Sequence, residues 1–143
     1  MNSYTWDARN RLAGISGGAT ASFSYDSLGR RISKAIGSEA AQFAYDGNDI
    51  VAEIKGGAVG TTYLRSLNID EMFGFLRQDG SYFSIYDGLG STLALTNQAA
   101  SSAVQYSYEP FGKTQSSSPT PVNPFEFTGR ENDSTGLYYY RTR

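Results

Sequence analysis

The 143-residue sequence has no cysteine and no histidine, only 4 prolines and a single tryptophan. Without cysteine there is no disulfide framework, zinc finger or thiol nucleophile; without histidine there is no Ser-His-Asp triad and no imidazole proton shuttle. A hard-cation site of carboxylates and carbonyls stays open to such a composition, but neither metal nor cofactor is expected. Charge is also scarce. Twelve basic and 14 acidic residues give a net charge of −2, and the basic ones are spread along the chain. That spread argues against nucleic acid or an anionic membrane as a dedicated partner. Long apolar runs are missing, with Leu137 to Tyr140 among the longest, so nothing approaches the ~20 residues of a membrane span. The opening Met1-Asn2-Ser3-Tyr4-Thr5-Trp6-Asp7 lacks the basic and apolar regions of a signal peptide, and none is expected in this chain.

What the sequence does contain is 11 tyrosines, 8 phenylalanines and 16 glycines. Aromatic residues favour strands and glycine favours tight turns, so an all-β fold is expected. The length suits one domain that buries about 68–70% of its unfolded surface. No segment shows a 3.6-residue apolar period, so little helix is expected.

The aromatics recur. An aromatic followed by an acid appears at Trp6-Asp7, Tyr25-Asp26, Tyr45-Asp46, Tyr86-Asp87 and Tyr108-Glu109, at intervals near twenty residues or twice that. The double interval holds a degenerate unit near Tyr63-Leu64-Arg65. A second ring often lies two residues earlier, as in Tyr4/Trp6, Phe23/Tyr25, Phe43/Tyr45 and Tyr106/Tyr108. In a strand such pairs share a face. Turn residues follow each acid, notably Gly29, Gly47, Gly90 and Gly112. Short β-prone runs come next: Arg31 to Ile36, Ile50 to Ile54 and Thr92 to Leu95. Asp79-Gly80 between apolar runs from Phe73 and to Tyr86 predicts a two-residue hairpin turn. The repeating unit is therefore strand, turn, strand, turn.

Four residues after the acid stands a base in three units: Asp7/Arg11, Asp26/Arg30 and Glu109/Lys113. Such a pair can close across the hairpin, and a carboxylate that accepts turn amides is an equally good reading. Either makes the motif structural rather than catalytic. The segment from Gln115 to Pro124 holds three of the four prolines and several serines, and is expected to be a surface loop.

Three blocks carry a family resemblance. Tyr25-Asp26-Ser27-Leu28-Gly29-Arg30 resembles the YD repeat of the RHS family. Asp87-Gly88-Leu89-Gly90-Ser91-Thr92 resembles a signature of the RHS-associated core. Tyr106 to Gly112, Asn123 to Glu131 and Thr135 to Arg141 are similar to the rest of that core, in the same order. Two departures stand out, with Glu109 in place of a usual Asp and Leu93 in place of a usual Arg.

The resemblance implies a fold of tandem antiparallel β-hairpins in a curved or spiralling sheet, part of an RHS-type shell. It divides the one domain into degenerate YD repeats over 1–66, core hairpins over 67–115, the Ser/Pro loop over 116–124 and a C-terminal core motif over 125–143. It further implies a non-enzymatic segment of a bacterial polymorphic toxin, secreted or at the cell surface within a larger effector. The implied partners are an attached toxin domain and neighbouring repeats. Two other readings follow from the same resemblance. One is a module binding cell-surface carbohydrate through exposed rings; pairing of open sheet edges in a dimer is a separate expectation. The other is part of an aspartyl self-cleaving core, with Arg130 and Asp133 as helpers. Self-cleaving members use a downstream Asp-Pro-x-Gly-Leu motif that this sequence does not contain, so self-cleavage by this chain alone is not expected.

Overall fold

The computed structural model describes residues 1–68, 71–120 and 122–141. The protein is all-β, and its strands follow chain order as an antiparallel meander. Chain contacts divide it into two compact units, Met1–Gly60 with Tyr140–Arg143, and Thr61–Tyr139.

The first unit contains β1 (Ser3–Trp6), β2 (Leu12–Ser16), β3 (Ala21–Tyr25), β4 (Arg31–Ile36), β5 (Glu39–Asp46) and β6 (Asp49–Lys55), each paired antiparallel with the next. Alternation builds its core. In β3 the buried residues are Ala21 and Phe23, in β5 Ala41 and Phe43. Ile15, Ala21 and Phe23 form a cluster against which Leu12, Tyr25 and Ile36 pack. Covering one such phenylalanine is worth about 1.5–3 kcal/mol. Arg31 is only 1% exposed, its guanidinium 5.2 Å from the centre of the Phe23 ring and 5.9 Å from that of Phe43. Its charge is thus sheltered on two π faces. Near the far end of the chain, Arg141 pairs with Asp49 at 3.0 Å within this unit.

The second unit begins in β7 (Ala58–Arg65) and continues through β8 (Met72–Arg77), β9 (Gly80–Tyr86), β10 (Thr92–Asn97), β11 (Ser102–Tyr108) and β12 (Thr114–Ser116). A second small sheet pairs β13 (Glu131–Asn132) with β14 (Tyr138–Tyr139). Phe75, Leu95 and Val104 are completely buried. Tyr63 meets Phe125 edge-on, with ring centres 5.1 Å apart and planes at 87°. A hairpin forms where expected but one residue earlier, its two turn residues being Gln78-Asp79, because Gly80 already pairs with Arg77 in the ladder. Among the described residues the departure from extended and turn backbone is one 3-10 turn at Phe127–Gly129.

Two further expectations are corrected here. Gln115 and Ser116 are not loop residues, because β12 pairs Tyr106 with Ser116 and Ser107 with Gln115. Their polar side chains suit an exposed edge strand as well as a loop. The second concerns Tyr45-Asp46. Asp46 pairs directly with Asp49 across a tight Gly47-Asn48 turn. The left-handed residue is Gly47, with φ 57°, which is one position after the acid instead of three. The chain reverses before a carboxylate turn of the other type is possible.

Candidate functional site

The recurrent acid sits at the first position of a five-residue turn. The Asp7 N–H donates to the Arg11 carbonyl at 2.9 Å, and the Asn10 N–H donates to the Asp7 carbonyl at 2.9 Å. Two amides, those of Arg9 and Arg11, donate to Asp7 Oδ1, and Arg11 Nε donates to Oδ2 at 2.7 Å. Asp26 repeats this with the amides of Leu28 and Arg30 and with Arg30 Nε at 2.7 Å. Asp87 repeats the amide half, accepting from Leu89 and Ser91. At Glu109 the longer side chain reaches Lys113 Nζ at 2.9 Å. The fourth residue of each turn has positive φ, at Asn10, Gly29, Gly90 and Gly112, which is why glycine dominates there.

These bonds perturb the acids. Hydrogen bonds from the Arg11 side chain and amide hold the Asp7 carboxyl below its ordinary value. At Asp26 burial works against ionisation, but the Arg30 side chain and amide outweigh it and the carboxyl is again lowered. Asp87 is lowered chiefly by the Ser91 amide.

In the first unit each base also reaches forward to the next repeat. The Arg11 guanidinium lies 4.6 Å above the Tyr25 ring, and Arg11 Nη1 donates to the Asp26 carbonyl at 3.1 Å. Arg30 lies 4.9 Å above the Tyr45 ring and donates to the Gly47 carbonyl. The rings reach backward. The Tyr25 hydroxyl donates to the Leu12 carbonyl at 2.8 Å, and that of Tyr45 to the Arg31 carbonyl at 2.9 Å. The result is a ladder of stacked cations and returning hydroxyls. In the second unit the Tyr108 hydroxyl likewise reaches back to the Thr92 carbonyl at 2.6 Å. There Ser91 occupies the usual cation position, and Phe127 packs on the Tyr108 ring at 5.5 Å. Tyr86, the ring of the Asp87 unit, is half-buried, and burial raises its phenol.

Ser91 and Thr92 have a further use, because both are buried and hold the segment from Asn123 to Tyr139 against the sheet. Thr92 Oγ1 donates to the Phe125 carbonyl at 2.7 Å, and its N–H donates to the Glu126 carbonyl at 3.2 Å. The Thr128 amide donates to Ser91 Oγ at 3.1 Å. Asn123 is 2% exposed; its Nδ2 donates to the Phe125 carbonyl and its Oδ1 accepts from the Phe125 amide at 3.1 Å. Beside this latch, Glu126 Oε2 accepts from Asn132 Nδ2 at 2.8 Å and from the Tyr138 hydroxyl at 3.2 Å. Burial, assisted by the Glu126 charge, pushes the Tyr106 phenol up to about 12 and raises Tyr108 as well. Burial also raises Tyr138. The phenols of this cluster are held neutral, and those of Tyr108 and Tyr138 donate to the Thr92 and Gly112 carbonyls.

Arg130 and Asp133 fall into the same turn grammar. Phe125-Glu126-Phe127-Thr128-Gly129-Arg130 is an aromatic-acid-x-x-Gly-Arg unit. The Glu126 N–H donates to the Arg130 carbonyl at 3.0 Å and the Gly129 N–H to the Glu126 carbonyl at 3.2 Å. Asp133 opens the next such turn, its N–H donating to the Leu137 carbonyl at 3.2 Å with Gly136 at φ 85°. Asp133 is 5% exposed. Sequence reasoning missed the Glu126 and Asp133 turns as repeats, though the acid-x-x-Gly spacing was there to find. Asn97 does the same work without a charge, its Oδ1 accepting from the amides of Ala99 and Ser101 as an aspartate would. At the degenerate unit, Ser66 and Asn68 side chains both donate to Glu71 Oε2 and lower that carboxyl. No group of three or more acids able to hold a metal ion is found among the described residues.

No protein-family model matches the chain. It is 25% identical over 150 aligned positions to the tRNA3(Ser)-specific nuclease WapA of Bacillus spizizenii, matching 98% of this chain and 6% of that protein. It is also 25% identical to the tRNA nuclease WapA of Bacillus subtilis strain 168, with the same coverage. The chain thus spans about 6% of the length of the curated relatives it matches. Its fold is shared by the Photorhabdus luminescens Tc holotoxin pore carrying a mutated TccC3, with a TM-score of 0.74 and 18% identity over 99% of this chain and 8% of that one. The crystal structure of TcdB2-TccC3 without its hypervariable C-terminal region is similar too, with a TM-score of 0.73 and 16% identity over 99% of this chain and 8% of that one.

Proposed function

We propose that this chain is a non-enzymatic segment of the β-shell of an RHS-type bacterial toxin, exported as part of a larger effector, and that it helps enclose or present an attached toxin domain. The observation that carries this reading is the ladder. Its side chains are spent joining one hairpin to the next, with acids capping turns, bases stacked on rings and phenols bound to carbonyls. Groups so committed do not turn over a substrate. Likeness along the whole chain to small parts of WapA and of Tc toxin assemblies supports the same reading. The nuclease activity in the WapA names belongs to those whole proteins.

The test has two arms. The matched segment of Bacillus subtilis WapA is replaced by this chain, and secretion and protease resistance of the chimera are measured. Retention of both is expected, with loss in a Phe75→Ala version. The isolated chain is also incubated with total tRNA; cleavage would overturn the non-enzymatic reading.

A carbohydrate-binding role has one supporting observation, an open polar groove lined by Asp79, Tyr82, Asn97, Gln98 and Thr120. One ring among carboxylate and amide groups suits a sugar. A glycan array with Tyr82→Ala as control would decide it.

A further inference from the structure

Asp-Gly pairs occur at Asp46-Gly47, Asp79-Gly80 and Asp87-Gly88. Aspartate before glycine is open to a spontaneous reaction, in which the glycine amide nitrogen attacks the side-chain carbonyl carbon and a succinimide ring closes. Glycine favours it because no Cβ obstructs the approach. The fold puts the three pairs in different surroundings. At Asp87 the carboxylate is clamped, Oδ1 accepting from the Leu89 amide at 2.9 Å and the Ser91 amide at 2.8 Å. At Asp79, Oδ2 accepts from the Tyr82 hydroxyl at 3.4 Å, and Gly80 is held in the ladder opposite Arg77. The Tyr82 ring covers Gly80, 3.5 Å from where a Cβ would stand. Asp46 has neither protection. It is exposed at the end of β5, and its turn lacks the amides that clamp the other repeat aspartates, because the chain reverses over Gly47 and Asn48 alone. Positive φ falls on Gly47, the first central residue, as in a II′ hairpin turn, and a Cβ there would meet open space.

We propose that Asp46-Gly47 is a self-modification site, where the chain converts to isoaspartate while Asp79 and Asp87 stay intact. The step balances within the chain and water. The Gly47 nitrogen bonds to Asp46 Cγ, and its proton leaves with the carboxyl hydroxyl as one water molecule. Water then adds back at either ring carbonyl. Opening at Cγ restores aspartate; opening at the main-chain carbonyl leaves the backbone running through Cγ, with the α-carboxylate free. Gly88 is as open as Gly47, since a Cβ there also meets nothing, so the clamp is what sets Asp87 apart. It acts twice. It ties the carboxyl to the Leu89 and Ser91 amides instead of leaving it to swing onto the Gly88 nitrogen. Through the Ser91 amide above all, it also lowers that carboxyl, whereas the hydroxyl leaves from the protonated acid. At Asp46 the product adds one carbon to the backbone where the ladder sets Asp46 opposite Asp49, and it displaces the Gly47 carbonyl that receives Arg30. Ageing of this turn therefore loosens the cation stacked on Tyr45.

The folded chain is aged in mildly acidic water enriched in oxygen-18, then digested, and its peptides are fragmented in a mass spectrometer. Each ring opening leaves one heavy oxygen at the residue that reacted. Label at Asp46 is expected to exceed that at Asp79 and at Asp87 by about tenfold or more, the factor that freeing one charged hydrogen bond imposes. An isoaspartyl methyltransferase with labelled S-adenosylmethionine should mark the same residue. D46E is expected to lose the label at that position, since its ring would have to grow by one atom. In urea the three pairs should react at similar rates, because the clamp and the covering ring are gone. Equal label at the three aspartates of the folded chain, or more at Asp79 or Asp87, would overturn the proposal. So would an excess at Asp46 that persists unchanged in urea, since the neighbouring sequence and not the fold would then be its cause.

Discussion

Thr92→Val is the most incisive single change, because it keeps the shape of a fully buried side chain and removes one hydroxyl. The main lost bond is the 2.7 Å donation to the Phe125 carbonyl, with a long 3.4 Å contact accepted from Asn123 Nδ2 lost beside it. A net hydrogen bond is worth ~0.5–1.5 kcal/mol, and a buried carbonyl left bare costs ~1–3 kcal/mol. The Phe125 carbonyl is not left bare, since Asn123 Nδ2 still donates to it. The expected loss is therefore near the lower figure, about 1 kcal/mol. Asn123→Ala removes that donor and the acceptor of the Phe125 amide, two bonds, for about 2 kcal/mol. Together the two changes strip the carbonyl of both donors, so the double variant should cost about 1 kcal/mol more than the sum. Urea denaturation measures all three losses. Amide exchange at Asn132, whose N–H donates to the Pro124 carbonyl at 2.7 Å, locates them. Additivity within about 0.3 kcal/mol, or unchanged exchange at Asn132, would refute the latch.

Other outcomes follow from the turns and rings. Phe23→Ala should destabilise by ~3–5 kcal/mol as a core truncation, whereas Tyr25→Phe should cost only the bond to Leu12, about 1 kcal/mol. Gly90→Ala meets open space but a φ of 81°, costing ~1–2 kcal/mol in urea denaturation. Gly112→Ala should cost more, since its Cβ would also lie 2.6 Å from the Phe127 ring. Asp7, Asp26 and Asp87 are lowered on folding, so their stabilising contribution is complete above their ordinary value of 3.8. It should fade as pH falls below that value, seen as an acid-side drop in urea midpoint that D26N blunts. Tyr106 is raised from 10.0 to about 12, so its contribution is complete below pH 10 and should be lost as pH climbs toward 12. Y106F should flatten that alkaline decline in thermal unfolding.

The hairpins were legible because their signals are local. An Asp-Gly between apolar runs placed its hairpin to within one residue, and a glycine three residues after an acid states its turn within six residues. The pairing of Arg30 with Asp26 was readable for the same reason. The Asp46 turn misled because Gly47 offers its left-handed conformation too early. The kinship of the Asn97 turn with the acid-capped ones was not legible, because there an amide does the carboxylate's work. The latch was out of reach, since Ser91 and Thr92 meet partners more than thirty residues away, and no local periodicity records such a contact. The forward reach of Arg11 onto Tyr25 was likewise invisible, although both residues were singled out.

The ladder has a direction. In the first unit arginines point toward later repeats and tyrosine hydroxyls toward earlier ones, so a hairpin there is gripped from both sides by parts in fixed places. Such a structure measures its own length in whole repeats. Losing a complete ring-to-ring segment brings an equivalent arginine onto an equivalent ring, while losing half of one leaves a cation and a phenol facing the wrong neighbours. Duplication and deletion are therefore expected to be tolerated best in steps of one repeat, which would let size vary without redesigning each contact.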